Sequence, residues 1–355
     1  MSRAIYITGI GAISAQTEES IFSEKPVIYN SNIFQAISPN FKEYIPAMAL
    51  RRMSKAIKMG LTAGKIALQD ANVELPAAII TGTGEGCKQD TEKFLESMLA
   101  QEEELLTPTS FIQSTHNTVG GQIALNLKCT GYNLTYSQEN ASLESALIDA
   151  ILLLKEKLSM NSVLVGGVDE ISKKITSFGN LNGFLKQGKI DNLGLFSQRS
   201  RGTITSEGAF FFNLTTEYNE NCYAKIKAVS NFNTDSSSVE ISEKIIDFLS
   251  RNGLKLKDLD IFFLGKNGDL EQDKIYEELQ ISIFAESCQL AYKHLAGDFN
   301  TVSGFAIWLS CLILKKQEIP AILKLNTVSS TKPKNILIYN FSSNSNHSLI
   351  LLQKP

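Results

Sequence analysis

Two short apolar runs, one in each half of the chain, end in glycine-rich exits and lead into helical segments. Residues 77–81 open into Gly82-Thr83-Gly84-Glu85-Gly86, and residues 261–264 open into Gly265-Lys266-Asn267-Gly268. Runs of this kind read as strands covered on both faces, which restricts the chain to an α/β architecture with helices packed over a sheet. Their recurrence predicts a duplicated βα unit, not two unrelated domains. The polar segment Asn219-Glu220-Asn221 marks the junction, giving halves 1–218 and 219–355.

The remaining pattern fits that scheme. Residues 51–70 have helical spacing at Met53, Ala56, Ile57, Leu61 and Leu68. Leu143, Ala146, Leu147, Ala150, Ile151 and Leu154 form the stripe of a packed helix, and Ile148, Leu152 and Leu153 make it apolar almost all round, which predicts burial between layers. Further strands are expected at 4–8, closed by Gly9 and Gly11, and at 132–136, 163–165, 209–214 and 336–339. Further helices are expected at 91–104, at 114–127 after a break at Pro108, and at 270–285 and 302–315.

Composition excludes several functions. The chain has 355 residues, 43% hydrophobic and 20% charged, enough for a large core without disulfide or metal staples. A net charge of -3 and the lack of a basic stripe give nucleic-acid binding no electrostatic support. Cys87, Cys129, Cys222, Cys288 and Cys311 form no CxxC pair, so neither a zinc site nor a disulfide framework is expected, and a reduced, cytoplasmic protein is. The longest apolar stretch, 302–314, falls short of the roughly 20 residues of a membrane span. The glycines at 9–11 and 82–86 lack phosphate-loop spacing and read as tight turns.

Five segments, in order along the chain, carry a family resemblance. RRMSKAIKMGLTAGKIALQDA (51–71), PTSFIQSTHNTVGGQIALNLKCTG (108–131) and VLVGGVDE (163–170) resemble the N-terminal half of β-ketoacyl synthases. RSRGTITSEGA (199–209) resembles the family's Arg-Asp-Gly…Gly-Glu-Gly-Ala segment, and YKHLAGDFNTVSGFA (292–306) its Lys-…-Gly-His helix start. The resemblance implies a thiolase-like five-layer αβαβα fold of two similar halves, normally dimeric. It is nearest to the chain-length-factor subunits of type II polyketide systems, among them those of aryl-polyene and flexirubin-type pigment pathways.

Decarboxylating condensation needs a thiolate, favoured at a helix N-terminus, and two imidazoles that stabilise the developing enolate. The segment matching the family's cysteine is Thr135-Tyr136-Ser137-Gln138-Glu139-Asn140-Ala141-Ser142, and different anchors put the nucleophile position at Glu139, Asn140 or Ser142. None is cysteine. The resemblance puts Lys266 at the first histidine, Asp298 at the second, and retains the family's lysine as Lys293. No catalytic residue and no metal or bound cofactor is therefore expected. Acyl chains would arrive on the phosphopantetheine of an acyl carrier protein. Phe111, Ile112, His116, Asn117 and Val119 are candidates for an acyl tunnel or subunit interface, with plain core packing as the alternative.

The implied function is a non-catalytic subunit that pairs with an active ketosynthase in fatty acid or polyketide synthesis. Two alternatives remain: an acyltransferase or hydrolase using Ser142 with His116 or Asp298 as base, and a stand-alone scaffold. Helix capping by Ser142 or Asn140 is the plainer expectation. Structural roles are expected for His116, His294 and His347.

Overall fold

A computed structural model describes residues 3–355 except 105, 107, 158, 159, 236, 343 and 344. The strands are β1 (Ile5–Ile13), β2 (Ala78–Gly82), β3 (Tyr132–Tyr136), β4 (Val163–Asp169), β5 (Gly208–Thr215), β6 (Ala224–Asn233), β7 (Ile261–Leu264), β8 (Cys288–Ala291), β9 (Asn335–Phe341) and β10 (Asn346–Gln353). The helices are α1 (Glu18–Phe22), α2 (Ala47–Leu50), α3 (Lys55–Asp70), α4 (Lys88–Ala100), α5 (Pro108–Ser114), α6 (Thr118–Leu127), α7 (Ser142–Glu156), α8 (Lys173–Leu181), α9 (Ser238–Arg251), α10 (Asp273–Ile281), α11 (Lys293–Ala296) and α12 (Ser303–Lys316).

Strand order runs β3-β2-β4-β5-β1-β6-β10-β9-β7-β8. Each set of five obeys one rule. The second strand of the set pairs in parallel with the third and the fourth, the fourth pairs antiparallel with the fifth, and the fifth antiparallel with the first. The duplication expected from the glycine exits is thus written in the hydrogen-bond ladders. The two sets meet only where Ile5, Tyr6 and Ile7 pair with Ile226, Lys225 and Ala224.

Alternation along the strands builds the layers, because successive side chains leave opposite faces. Ala78, Ile80, Val163, Val165, Phe210 and Phe212 share a central core with Ile261, Phe263, Ile336, Ile338, Ile350 and Leu352. Their neighbours Ile79, Leu164 and Phe211 face the opposite way, onto α3 and α6. Phe262, Leu264, Leu337 and Leu351 likewise face α9 and α10. Helices α7 and α12 fill the centre and touch strands of both halves, so the layers run helix, sheet, helices, sheet, helix: the thiolase-like fold. α12 is buried from Ser303 to Leu314, as its all-round apolar sequence requires.

The first strand is longer than the sequence suggested. It continues through Gly9 and Gly11 to Ile13 because both glycines lie inside the strand, pressed against α3. A Cβ on Gly11 would lie 2.0 Å from the Ala63 carbonyl oxygen, and one on Gly9 2.1 Å from that of Ala67. These glycines permit close helix–strand contact; they do not form a turn. Pro108 also differs: it opens α5, a helix that was not expected, where its missing N–H is harmless, and the helix expected at 114–127 starts only at Thr118, as α6. Among the described residues no helix is long and apolar enough to cross a membrane.

Candidate functional site

The strand-to-helix elbow lies at the end of β3. Glu139 adopts φ 48°, in the left-handed region, and a single 3₁₀ turn at Glu139–Ala141 leads into α7. This turn separates the three candidate positions. Asn140 lines a cavity of about 300 Å³, whereas Glu139 borders a separate surface hollow. Ser142 is fully buried. Its hydroxyl accepts the Gln138 N–H at 2.8 Å and donates to the Glu139 carbonyl at 2.6 Å, with the Thr83 carbonyl 3.2 Å away. Ser142 therefore braces the elbow. It does not cap α7, whose N-cap is Ala141, and neither does Asn140.

The facing wall comes from the second half. After β8, α11 turns through Gly297, at φ 72°, and delivers Asp298 to the cavity. The Asp298 N–H donates to the Ile204 carbonyl at 2.7 Å, and its carbonyl accepts the Ser206 N–H at 3.0 Å. Its carboxylate is held at both oxygens, by Lys293 Nζ at 2.8 Å and Asn267 Nδ2 at 2.9 Å. Lys293, its side chain 1% exposed, lies behind the carboxylate.

Lys266, expected at the first histidine position, turns away. Its ammonium lies 3.2 Å from Gln280 Oε1 and 3.4 Å from Glu277 Oε1, over the Phe196 ring. Asn267 is the residue that reaches Asp298. The signal was present in the sequence: in the family's His-Gly-Thr motif the histidine immediately precedes glycine, and Asn267 precedes Gly268. Asp273 fixes this turn by accepting the N–H groups of Asn267 and Gly268, each at 3.0 Å.

Deeper in α7, one turn past Asn140, Glu144 is fully buried. Its carboxyl accepts the Ser348 hydroxyl at 3.1 Å. Burial pushes its pKa up, opposed by hydrogen bonds from Ser303 and Ser348 and by the nearby Lys293 charge. The cavity wall and its backing thus bring together the amides of Asn140 and Asn267 and the carboxylate of Asp298, with Lys293 paired to that carboxylate. These groups bind and orient, but supply no soft nucleophile.

Three other carboxylates of the resembling segments are scaffold. Asp169 accepts the Thr83 hydroxyl and the Gly84 and Glu85 N–H groups on one oxygen, and the Thr301 N–H and hydroxyl on the other. It joins the two halves beside the cavity. Glu170 accepts N–H groups of Ala56 and Gln89, and burial raises its pKa to about 7. Glu207 accepts from Ala36 and Ile171 and pairs with Lys55.

The other candidates fall apart in space. Phe111 and Ile112 are 56% and 61% exposed, and His116 and Asn117 are also exposed. Val119 is buried in the core, where a Cβ on Gly60 would lie 2.5 Å from its Cγ1, so it is no surface residue and packs as the core alternative expected. His294 and His347 are buried and structural. Nε2 of His294 bonds the Ile322 carbonyl at 3.0 Å, and His347 sits between Tyr339 Oη and the Thr234 carbonyl. No sulfur lines the cavity. Burial pushes the Cys87 thiol up to about 12, the reverse of thiolate activation, and Cys129 is only half-buried.

This layered duplication, with a cavity between an elbow of the first half and a turn of the second, is the architecture of the thiolase-like fold. Comparison gives the particular relatives. Residues 31–175 match the family model described as Beta-ketoacyl synthase, N-terminal domain. The ishigamide ketosynthase/chain length factor superposes over 100% of both chains, with TM-score 0.82 and 16% identity. A beta-ketoacyl synthase from Burkholderia phymatum STM815 does so over 100% of both, with 0.80 and 14%. The ketosynthase ApeO in complex with its chain length factor ApeC, from Xenorhabdus doucetiae, is covered to 98%, over 99% of this chain, with 0.79 and 16%. No curated protein sequence matches the chain. The chain has the thiolase-like fold of these structures, and its residues 31–175 match that family model.

Proposed function

We propose that this protein is a non-catalytic, chain-length-factor-type subunit that pairs with an active β-ketoacyl-carrier-protein synthase in the cytoplasm, in fatty acid or polyketide synthesis. The observation that supports the reading is the cavity lined by Asn140 and by Asp298, the latter held from behind by Asn267, with no thiol or imidazole among its described lining residues, whereas condensation needs a thiolate and two imidazoles. The serine-nucleophile alternative is disfavoured, because the Ser142 hydroxyl is buried and committed to backbone groups.

A surface suited to a partner lies on the β3 side of the first half. β3 is an edge strand, so one row of its backbone groups has no strand neighbour. Leu134 on β3, Leu125 on α6, Phe111 and Ile112 on α5, and Leu95 and Leu99 on α4 are all exposed large apolar residues of neighbouring elements. A second chain of the same fold, offering its own edge strand, satisfies the backbone and covers the apolar side chains. Acyl chains would reach the pair on the phosphopantetheine of an acyl carrier protein.

Co-expression with the ketosynthase encoded nearest to it tests this reading. Native mass spectrometry is expected to give a 1:1 complex, and Leu134→Asp is expected to separate it. A partner-free chain, or a complex indifferent to Leu134→Asp and Phe111→Asp together, contradicts the proposal.

A further inference from the structure

The charge inside the cavity bears on which acyl groups it accepts. Its described lining includes Glu85, Asp169, Glu170 and Asp298 but only one cation, Lys88, which pairs with Glu85. Asp169 and Glu170 turn their oxygens to backbone N–H groups. While Glu85, the more exposed carboxylate, is paired with Lys88, Asp298 keeps part of its side chain on the inner wall of the cavity, 16% exposed. It cannot swing aside, since its backbone is pinned to Ile204 and Ser206 and both oxygens are held. Lys293, which balances it, is sealed behind it and offers no ammonium to a ligand. The rest of the lining is uncharged: Phe299, Phe341 and Ile171 are apolar, and Asn140, Asn300 and Gln272 supply amides.

We infer that this cavity admits neutral acyl-pantetheine thioesters and rejects those whose acyl group ends in a carboxylate, with Asp298 as the discriminating residue. The inference rests on the reading of the cavity as an acyl-thioester site. Asn140 and Asp298 line the same cavity, so an acyl chain entering past Asn140 runs toward the Asp298–Lys293 pair. A second carboxylate there meets the Asp298 carboxylate first, and because the Lys293 charge offsets part of the repulsion it is disfavoured on the order of tenfold. A neutral acyl group escapes that repulsion. The subunit would thus hold a growing chain while leaving the anionic extender unit to its partner.

Calorimetric titration of the full chain with butyryl-pantetheine and succinyl-pantetheine tests this, the two differing in the terminal carboxylate. Butyryl-pantetheine is expected to bind about tenfold more tightly at low salt. Asp298→Asn is expected to bring the two within about threefold, and Asp298→Glu to preserve the difference. Equal affinities in the unaltered protein overturn the inference, and need no variant that folds. So does binding of neither thioester, or a ratio unmoved by Asp298→Asn. Failure to pair with a ketosynthase, with the preference intact, counts against the proposed function alone.

Discussion

Removing the Asp169 carboxylate should destabilise the chain more than any other single polar change at the site. Five donors converge on it, three from the Thr83–Glu85 loop and two from Thr301. Each buried donor left without an acceptor costs about 1–3 kcal/mol. Water entering the space left by Asp169→Ala can satisfy some of the five, so two or three remain unmet and the expected loss is ~4–6 kcal/mol. Asp169→Asn keeps one acceptor oxygen but turns an amide N–H₂ toward the other donors, and should lose ~2–3 kcal/mol. Both are large against a whole-domain stability of about 5–15 kcal/mol. Urea unfolding followed by Trp308 fluorescence gives the readout, since Trp308 is the sole tryptophan and is buried in the central layer. A loss below about 1 kcal/mol for Asp169→Ala, or equal losses for the two variants, would refute the idea that this carboxylate clasps the halves together.

Two further predictions test packing and charge. Gly11→Ala should cost at least ~3 kcal/mol or yield insoluble protein, because the new methyl meets the Ala63 carbonyl; Gly121→Ala in α6, with nothing within 4 Å, should be neutral or slightly stabilising in the same melting assay. His294 is held neutral by burial with its pKa lowered to about 4 from 6.5, so the stability it contributes is present above pH 6.5 and lost as pH falls toward 4. Glu170, raised to about 7, and Asp273, raised to about 6, act in the opposite sense, losing stability as pH rises through those values. Between pH 7.5 and 4.5, His294→Phe should therefore gain ~2–3 kcal/mol relative to the unaltered chain; a constant difference in unfolding free energy contradicts it.

The parts legible in the sequence were those whose signal is local. β2, β4 and β7 are apolar on both faces and bounded by glycine, and α7 and α12 are apolar all round, so burial could be read directly. β6 and β10 were missed, although they form the longest antiparallel ladder in the sheet and β6 joins the second half to β1. β6 is half exposed and carries Lys225 and Lys227, so it looks like loop until its distant partner is known. At the site, the loss of sulfur and imidazole was readable because it needs only residue type. That Asn140, and not Glu139 or Ser142, lines the cavity was not, because it depends on the left-handed turn at Glu139. That Asn267 and not Lys266 reaches Asp298 was signalled only by its place before Gly268; the contact itself depends on the direction each side chain leaves the turn.

The central claim is that the chemistry belongs to the partner. It is tested most directly by assaying condensation in the purified complex after alkylating the partner's active thiol, and in this chain alone. The account predicts malonyl-dependent elongation by the untreated complex, none by the alkylated complex, and neither elongation nor an acyl adduct by intact mass for the isolated chain. Elongation by the chain alone, or an acyl group found on Ser142, would contradict it.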